Sequence, residues 1–318
     1  MANRATPPIS FEVYPPRTAA SFARLRQTLT ELASVTPGFV SVTYGASGSA
    51  QEATREVVVD ILKEGKHVPL VHLTCIGKTE AQLVAVIREF LACGARRFLA
   101  LRGDPPAGDP TWTPEPGGLT SAAQLVELIR RTAREFFAES QNLPDDGASQ
   151  PQITIAVAAF LNGNAGIGST ADEDITKLLE KQAAGADFAI TQLFYRAREY
   201  FDFVAAARAR GVTLPIVPGV LPPTDPGRLD RVAELSGVPA PADLLAELYA
   251  AVSEDATETQ LRQHSLGVSF TVNLINQLLT GGAPAIHLYT FNQHRAVLDV
   301  LCALRLIDFS QPPAPAIH

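Results

Sequence analysis

The sequence predicts a single α/β domain with the architecture of a (β/α)8 TIM barrel, and three observations support this fold class. Eight short apolar segments alternate with helical segments along the 318 residues. The central apolar run, Arg97–Leu101, lacks polar alternation, which is typical of a parallel strand covered on both faces. Polar side chains follow these segments at the position where parallel barrels build their active sites. A doubly wound open sheet is the alternative that this pattern leaves open.

The predicted strands share a short apolar core and end at proline, glycine or polar residues. Tyr14-Pro15-Pro16, for example, closes the first strand because proline has no N–H for a further ladder bond. The predicted strands are Ile9–Val13, Phe39–Thr43, Val68–Leu73, Arg97–Leu101, Ile153–Ala159, Phe188–Thr191, Leu214–Pro218 and Ala285–Tyr289.

Helical segments follow the strands, with Thr18 and Thr79 placed as N-caps and Gly94 and Gly185 as stops. The predicted helices are Thr18–Ala33, Glu52–Glu64, Thr79–Cys93, Leu119–Glu139, Ala171–Ala184 and Glu199–Arg210, then extra helical segments over Gly227–Leu279 and a last helix, Asn292–Leu304. We expect one domain over residues 1–318, with loose termini at 1–8 and 311–318 and an exposed polar excursion at Ser140–Gln152.

Composition excludes several functional classes. The formal net charge of −7, with scattered Lys and Arg, argues against a nucleic-acid partner. The cysteines (Cys75, Cys93 and Cys302) are too far apart for a disulfide framework or a zinc site. Residues 1–8 lack the apolar core of a signal peptide, and no apolar run approaches membrane-spanning length. We therefore expect a soluble cytoplasmic protein without a membrane partner, whose oligomeric state stays open.

In a barrel, the residues that follow the strands share one rim. Here they are Glu12, Tyr14, Thr43, Tyr44, His72, Thr74, Arg102, Asp104, Phe160, Gln192, Tyr195, Leu221, Tyr289 and Asn292. This set has no metal-ligand spacing, and the chain has neither a nucleophilic serine with a partner histidine nor a glycine-rich phosphate loop. The rim suits recognition of a flat polar heterocycle combined with proton transfer.

Glu12 is the sharpest candidate because it lies inside an apolar strand. Loss of water around a carboxyl group raises its pKa, which suits a general acid near neutral pH. The alternative is a glutamate that forms an ion pair with Lys or Arg. His72 alone would be a satisfied core histidine, and only its place beside Glu12 and Asp104 makes it a candidate. Gln192 could make a bidentate contact to a pterin- or flavin-like edge, or bond to its own loop.

Taken in order, these strand ends resemble the methylenetetrahydrofolate reductase family. The resemblance spans nearly the whole chain, and it is specific because each matching stretch ends a predicted strand. The stretches are Ser10-Phe11-Glu12 with Pro15-Pro16, Phe39-Val40-Ser41-Val42-Thr43-Tyr44-Gly45-Ala46, His72-Leu73-Thr74-Cys75, Leu101-Arg102-Gly103-Asp104, Ala189-Ile190-Thr191-Gln192, Pro218-Gly219-Val220-Leu221-Pro222 and Tyr289-Thr290-Phe291-Asn292.

The resemblance implies reduction of 5,10-methylenetetrahydrofolate to 5-methyltetrahydrofolate by NADH or NADPH. It implies that Glu12 is the general acid and that Asp104 stabilises the cationic intermediate. Substrate binding is assigned to Gln192, Tyr289 and Leu221. Cofactor binding is assigned to Thr43, Tyr44, His72, Arg102, Phe160 and Lys181.

The chain departs from the pattern of the FAD-binding members. Phe160–Gly166 replaces a stretch that carries a Tyr and a His, and Glu180 stands where a basic residue is expected, although Lys177 and Lys181 remain. Because an anion there would repel a pyrophosphate, FAD is doubtful and we expect direct hydride transfer from a nicotinamide. The alternatives are an FAD-dependent reductase with divergent contacts, a non-catalytic folate-binding barrel, and a folate-linked methyltransferase partner.

Overall fold

A ring of parallel strands forms the centre of the molecule and confirms the (β/α)8 barrel. The computed structural model describes residues 7–44, 48–103, 116–139, 151–164 and 168–306, and for 48–51 the backbone alone. The strand order is β7-β6-β5-β4-β3-β2-β1-β9-β8. The strands are β1 Ile9–Val13, β2 Phe39–Val42, β3 Pro69–Thr74, β4 Arg97–Leu101, β5 Thr154–Ala159, β6 Phe188–Thr191, β7 Ile216–Val217, β8 Gly219–Val220 and β9 Ile286–Tyr289.

The seventh barrel position differs from its predicted range, Leu214–Pro218, and is divided into two short strands. β7 pairs with β6, and β8 pairs with β9. Pro218 separates them, and its carbonyl oxygen accepts a hydrogen bond of 3.0 Å from the His287 N–H. Since proline has no N–H of its own, the chain changes neighbours at this residue and still closes the ring. The open-sheet alternative is therefore wrong.

The helices surround the ring close to their predicted positions. The second helix begins at Gly48 instead of Glu52. The last begins at His294 instead of Asn292, because Phe291 and Asn292 have left-handed φ angles of 49° and 56°. The helices are α1 Ala19–Leu32, α2 Gly48–Glu64, α3 Glu80–Ala92, α4 Ala122–Glu139, α5 Ala171–Ala183, α6 Ala197–Ala209, α7 Pro226–Ser236, α8 Ala242–Ala250, α9 Ala256–Thr280 and α10 His294–Ala303, with a 3-10 turn at Ala33–Val35.

Reciprocal capping fixes the start of three of these helices. Thr18, Thr79 and Thr170 each accept a hydrogen bond from the backbone N–H three residues later, and the side chain of that later residue accepts one in return. Each pair satisfies two N–H groups that a helix end otherwise leaves without partners. The predicted caps at Thr18 and Thr79 are confirmed.

Two apolar layers hold the ring in place. The larger lies between strands and helices and includes Phe11 and Phe98, both fully buried. The smaller contains only strand residues, Leu70, Leu99, Ala156 and Ile190, and fills the barrel interior. Because successive strand residues point to opposite faces, each strand supplies both layers in alternation.

The ends of the chain lie largely outside the described residues. Pro8, inside the predicted loose terminus 1–8, is held in place because its carbonyl oxygen accepts a 3.0 Å hydrogen bond from the Ile286 N–H. Residues 1–6 and 311–318, and 140–150 of the predicted excursion, are not described. Among the described helices, none is long and apolar enough to cross a membrane.

Gly219 offers a direct test of how the ring closes. A Cβ at this residue would lie 2.4 Å from the Thr191 carbonyl oxygen and 2.8 Å from the Tyr289 ring. We expect Gly219→Ala to lower the free energy of unfolding by about 1–3 kcal/mol, as overpacking does, when measured by urea denaturation.

Gly227→Ala is the matched control for this change. A Cβ at residue 227 would only reach the Asp225 carboxylate, at 3.5 Å. Its free energy of unfolding should stay within about 1 kcal/mol of the wild-type value. A Gly219→Ala protein as stable as the wild type would contradict the tight closure.

Candidate active site

Glu12 points into the mouth of the barrel, as its place in the strand alternation requires. Ile9, Phe11 and Val13 of β1 are buried against the helices, so Ser10 and Glu12 face the interior. In the sheet register, Glu12 lies opposite Ser41 of β2 on one side. On the other side it lies opposite Tyr289 of β9. The Glu12 side chain is 22% exposed, so it lies at the junction of the packed interior and the open rim.

Two imidazoles and a hydroxyl surround one oxygen of this carboxylate. Glu12 Oε2 lies 3.5 Å from His72 Nε2 and 3.7 Å from His287 Nε2. It also accepts a 3.4 Å hydrogen bond from the Ser41 hydroxyl. Both imidazoles are buried. Within the described residues, no Lys or Arg forms an ion pair with Glu12, so the alternative of a Lys or Arg partner is not observed there.

The expected rise in the Glu12 pKa is wrong. Burial does raise this pKa, but the approach of His287, the electrostatic attraction of His72 and His287, and the Ser41 hydroxyl together outweigh it. The net pKa therefore lies below the ordinary value of 4.5. Burial also lowers the pKa of His72 to about 4, against the opposing attraction of Glu12. At neutral pH the mouth thus holds a carboxylate beside a neutral His72 ring.

His287 belongs to the site, although the sequence reasoning did not single it out. Its Nδ1 lies 2.8 Å from the Ser10 hydroxyl, and its ring stacks on Phe39 with centroids 5.7 Å apart. The Ser10 hydroxyl also donates to the Ile286 carbonyl oxygen at 3.5 Å. The Nε2 atom of His287 faces Glu12. The period-two pattern of Ile286-His287-Leu288-Tyr289 places His287 on the face of Tyr289 and could have identified it.

The predicted substrate-binding residues have different surroundings. The Tyr289 hydroxyl donates a 2.9 Å hydrogen bond to the Thr191 carbonyl oxygen, and its ring meets that of His287 edge to face. Leu221 is buried and lines a cleft together with Tyr289. The Gln192 side-chain oxygen accepts a 2.9 Å hydrogen bond from the Leu193 N–H, so its amide is bonded within its own loop, as the alternative expected.

The residues at the rim that were predicted to bind a cofactor make hydrogen bonds with backbone groups, and Tyr44 lies near a lysine. Arg102 Nε donates to the Gly103 carbonyl oxygen at 3.1 Å, and the Thr43 N–H donates to the Val13 carbonyl oxygen at 3.0 Å. Lys78 lies 5.9 Å from the Tyr44 ring, while burial raises the Tyr44 pKa to about 12. The Phe160 carbonyl oxygen accepts a hydrogen bond from its own loop. These contacts leave their predicted cofactor role open.

Tyr14 and Asn292, also expected on the rim, bind each other. The Asn292 side-chain oxygen accepts from the Tyr14 N–H at 2.9 Å, and its amide nitrogen donates to the Tyr14 carbonyl oxygen at 2.8 Å. The Thr290 hydroxyl donates to the Glu12 carbonyl oxygen at 2.6 Å. These bonds join the ends of β1 and β9 beside the carboxylate, so Tyr14 and Asn292 support the site.

Lys181 lies on α5 with its ammonium directed at the sheet. It donates a 2.8 Å hydrogen bond to the Ala158 carbonyl oxygen. Burial lowers its pKa to about 8, with Asp174 opposing this effect. The first turn of α5 carries the carboxylates of Asp172, Glu173 and Asp174, so acidic side chains occupy the helix end that would otherwise attract an anion.

The second predicted catalytic carboxylate, Asp104, lies outside the described residues, which end at Gly103 and resume at residue 116. Within the described part of the chain, no group of three His, Cys, Asp or Glu side chains could hold a metal ion. The described site therefore consists of Glu12 with His72, His287, Ser41 and Ser10.

A solved protein structure resembles this barrel in its backbone fold. The solved structure of a protein from Clostridium thermocellum, described as binding two copies of 5-methyl-5,6,7,8-tetrahydrofolic acid, superposes with a TM-score of 0.58. The two sequences are 13% identical, and the match covers 95% of each chain. At this identity the comparison supports the fold alone.

Comparisons of sequence identify relatives of this chain and its family. The 5,10-methylenetetrahydrofolate reductase of Escherichia coli is 30% identical over 285 residues, which cover 90% of this chain and 86% of the relative. Methylenetetrahydrofolate reductase (NADH) 1 of Arabidopsis thaliana is 29% identical over 311 residues, which cover 95% of this chain but 49% of the relative. The chain thus spans about half the length of that relative. The sequence model described as methylenetetrahydrofolate reductase matches residues 1–305, and the chain belongs to the methylenetetrahydrofolate reductase family.

Proposed function

We propose that this protein reduces 5,10-methylenetetrahydrofolate to 5-methyltetrahydrofolate with a nicotinamide hydride donor. The observation that carries the proposal is the Glu12 carboxylate, placed in the barrel mouth between two buried imidazoles in a chain of this family. The relatives in Escherichia coli and Arabidopsis thaliana are methylenetetrahydrofolate reductases, which supports the reaction, and the Arabidopsis thaliana enzyme is named as an NADH form, which supports NADH as the donor.

The reaction needs one proton and one hydride. Protonation of N10 lets the bond between N10 and the methylene carbon break, with its electron pair remaining on N10. The N5 lone pair then forms a cationic iminium with that carbon. Hydride from C4 of the nicotinamide adds to the carbon and completes the N5 methyl group. We assign delivery of the proton to Glu12 and stabilisation of the cation to Asp104.

The surroundings of Glu12 support a role in handling this proton. The two imidazoles and the Ser41 hydroxyl surround the carboxylate while the substrate is absent. A pterin ring placed over the mouth would exclude water from the exposed part of Glu12, and loss of water favours the protonated form. In this proposal substrate binding itself converts Glu12 from a carboxylate into an acid.

The residues of α5 do not fit a flavin pyrophosphate. Its first turn carries three carboxylates, and the Lys181 ammonium already donates to a backbone carbonyl oxygen. Anionic phosphates there would meet repulsion from these three carboxylates, with Lys177 as the remaining lysine on the helix. These contacts support direct hydride transfer from the nicotinamide, so that two substrates bind together and catalysis depends on their mutual orientation.

Glu12→Gln tests the proposed acid. The amide keeps the size of the side chain but cannot deliver a proton, so kcat should fall by about 10²- to 10⁴-fold. The affinity for 5-methyltetrahydrofolate, measured by calorimetry, should stay within about threefold of the wild-type value, since the pocket keeps its shape.

Glu31→Gln is the control, because Glu31 is exposed near the end of α1. It should leave kcat unchanged. A Glu12→Gln protein with wild-type kcat would rule out Glu12 as the acid. A wild-type protein that binds folate but transfers hydride from neither NADH nor NADPH would favour the non-catalytic alternative.

The low pKa of Glu12 predicts the pH dependence. The acid must be protonated, and a pKa below 4.5 leaves the free protein mostly ionised at neutral pH. The protonated fraction, and with it kcat/KM, should rise about tenfold for each unit of pH lowered from roughly 8 to 6. His72, neutral above about pH 4, does not titrate in this interval. Steady-state rates across this range provide the measurement.

His287→Phe tests the cause of the low pKa, since it keeps a ring but removes the nitrogen near Glu12. Burial raises the Glu12 pKa, and without His287 fewer groups lower it. The Glu12 pKa should therefore rise, and the profile of kcat/KM against pH should move to higher pH. His264→Gln is the control, because His264 pairs with Asp299 between α9 and α10, at 2.7 Å. A profile that does not move in His287→Phe would assign the low pKa to another group.

Direct hydride transfer predicts a purified protein without flavin absorbance in the visible spectrum. Initial rates with NADH and 5,10-methylenetetrahydrofolate should give intersecting double-reciprocal lines, because both substrates occupy the protein at once. A stoichiometric flavin spectrum together with parallel, ping-pong lines would instead establish the FAD-dependent alternative.

A further inference from the structure

Tyr14 follows β1 at the mouth of the barrel and continues the alternation of that strand. The Glu12 carbonyl oxygen accepts a 3.3 Å hydrogen bond from the Thr290 N–H, on the side of β9. The Val13 carbonyl oxygen accepts one of 3.0 Å from the opposite side, that of β2. Both backbone groups of Tyr14 return to the side of β9, where they bind the Asn292 side chain. Because these sides alternate together with the faces of a strand, the Tyr14 ring lies on the face of Glu12.

The backbone of Tyr14 is fixed by two independent features. Its N–H donates to the Asn292 side-chain oxygen at 2.9 Å, and its carbonyl oxygen accepts from the Asn292 amide nitrogen at 2.8 Å. The next residue is Pro15, and a proline ring restricts the residue before it to extended conformations. The ring is therefore attached to a backbone that keeps it directed at the mouth.

The Tyr14 ring is uncovered at this position. Tyr14 is 44% exposed, whereas the other tyrosines at strand ends, Tyr44, Tyr195 and Tyr289, are buried or partly buried. Within the described residues, the Tyr14 ring has no aromatic or cationic neighbour and its hydroxyl has no hydrogen bond. An aromatic ring that is fixed and uncovered on the inner face of a barrel mouth offers a planar ligand a surface on which to stack.

The level of this ring above Glu12 indicates which ligand it meets. Two residues separate Tyr14 from Glu12, so Tyr14 lies about 6.6 Å farther out along the strand, at roughly 3.3 Å per residue. In the proposed reaction the pterin lies against Glu12 to receive its proton, and the nicotinamide stacks on the pterin to deliver its hydride. The outer of these two rings is at the level of Tyr14.

We infer that Tyr14 stacks on the nicotinamide ring of the hydride donor and holds it over the pterin. The inference rests on the proposed function. When C4 gives its hydride to the iminium carbon, that carbon is reduced and the nicotinamide is oxidised to a pyridinium cation. The face of an aromatic ring attracts a cation, so Tyr14 binds the oxidised nicotinamide better than the reduced one. This difference favours the transfer step.

Binding of NADH tests this inference without turnover. Calorimetry would compare the wild type with Tyr14→Leu while 5-methyltetrahydrofolate fills the pterin position. Both ligands are reduced, so no hydride moves during the measurement. Tyr14→Leu should bind NADH about three- to tenfold more weakly, because leucine has no ring on which the nicotinamide can stack. Tyr14→Phe keeps the ring and should retain the wild-type affinity.

The oxidised donor provides a second measurement. The inhibition constant of NAD⁺ against NADH, taken from steady-state rates, should rise in Tyr14→Leu by about threefold more than the affinity for NADH falls. The reason is that the cation also loses its attraction to the ring face. The KM for 5,10-methylenetetrahydrofolate should stay within about twofold of the wild-type value. If the wild type uses NADPH, then NADPH and NADP⁺ take the place of these two probes.

Tyr249→Leu is the matched control, because it makes the same change at a tyrosine that is 53% exposed on α8, in the outer helix layer. It should leave the affinity for NADH and the inhibition constant of NAD⁺ unchanged. The circular dichroism melts of all variants should coincide with that of the wild type.

Three outcomes would overturn the assignment of Tyr14. They are a Tyr14→Leu protein with wild-type affinity for NADH, a Tyr14→Phe protein as weak as Tyr14→Leu, and a loss that appears in the KM for 5,10-methylenetetrahydrofolate instead of in NADH binding. In each of these the wild type remains a reductase, so the proposed function survives. A wild-type protein that transfers hydride from neither NADH nor NADPH would overturn the proposed function together with this inference.

Discussion

The site depends on keeping a carboxylate charged where little water reaches it. Burial alone would neutralise Glu12, and the chain prevents this with two imidazoles and a hydroxyl from three other strands. Because burial keeps His72 neutral, this ring adds no full positive charge at neutral pH, and the Ser41 hydroxyl is the group that donates a hydrogen bond to the carboxylate. Such a carboxylate is held in place but remains easy to protonate when its surroundings change. An ion pair with Lys or Arg would fix the charge more firmly and make Glu12 a poor proton donor.

The barrel places these groups around Glu12 because its strands bring residues that are distant in sequence into register. Ser10 and Glu12 lie on one strand, Ser41 and His72 on the next two, and His287 on the last, so the cluster exists only when the ring is closed. Closure between β8 and β9 requires a glycine at 219, where Tyr289 packs against the backbone. The same tyrosine lies opposite Glu12 in the sheet register. Fold stability and site geometry therefore depend on the same contacts.

Much of this architecture follows from the sequence, and the failures have physical causes. Apolar runs and threonine caps located the strands and the starts of α1 and α3, because these signals are local. The division at Pro218 was missed because it depends on which neighbour each half pairs with. His287 was missed because a histidine in an apolar strand has the pattern of a core residue. The direction of the Glu12 pKa shift was wrong because it results from neighbours on three other strands, which one segment does not reveal. Asn292 was correctly placed at a strand end, but its side chain binds the backbone of Tyr14, which only the folded chain brings near. Gln192 binds the N–H of the next residue, which is the loop contact that the sequence had left open.

The exchange of partners at Pro218 has a consequence for motion. Elsewhere neighbouring strands share three or four registered residue pairs, whereas β7 and β8 share two each with their neighbours. The barrel thus has a seam with a sparse ladder, and transient local opening, which favours weakly bonded backbone, should begin along it. The seam adjoins Tyr289 and the mouth, so such opening widens the mouth while the better-paired strands on the opposite side keep their shape.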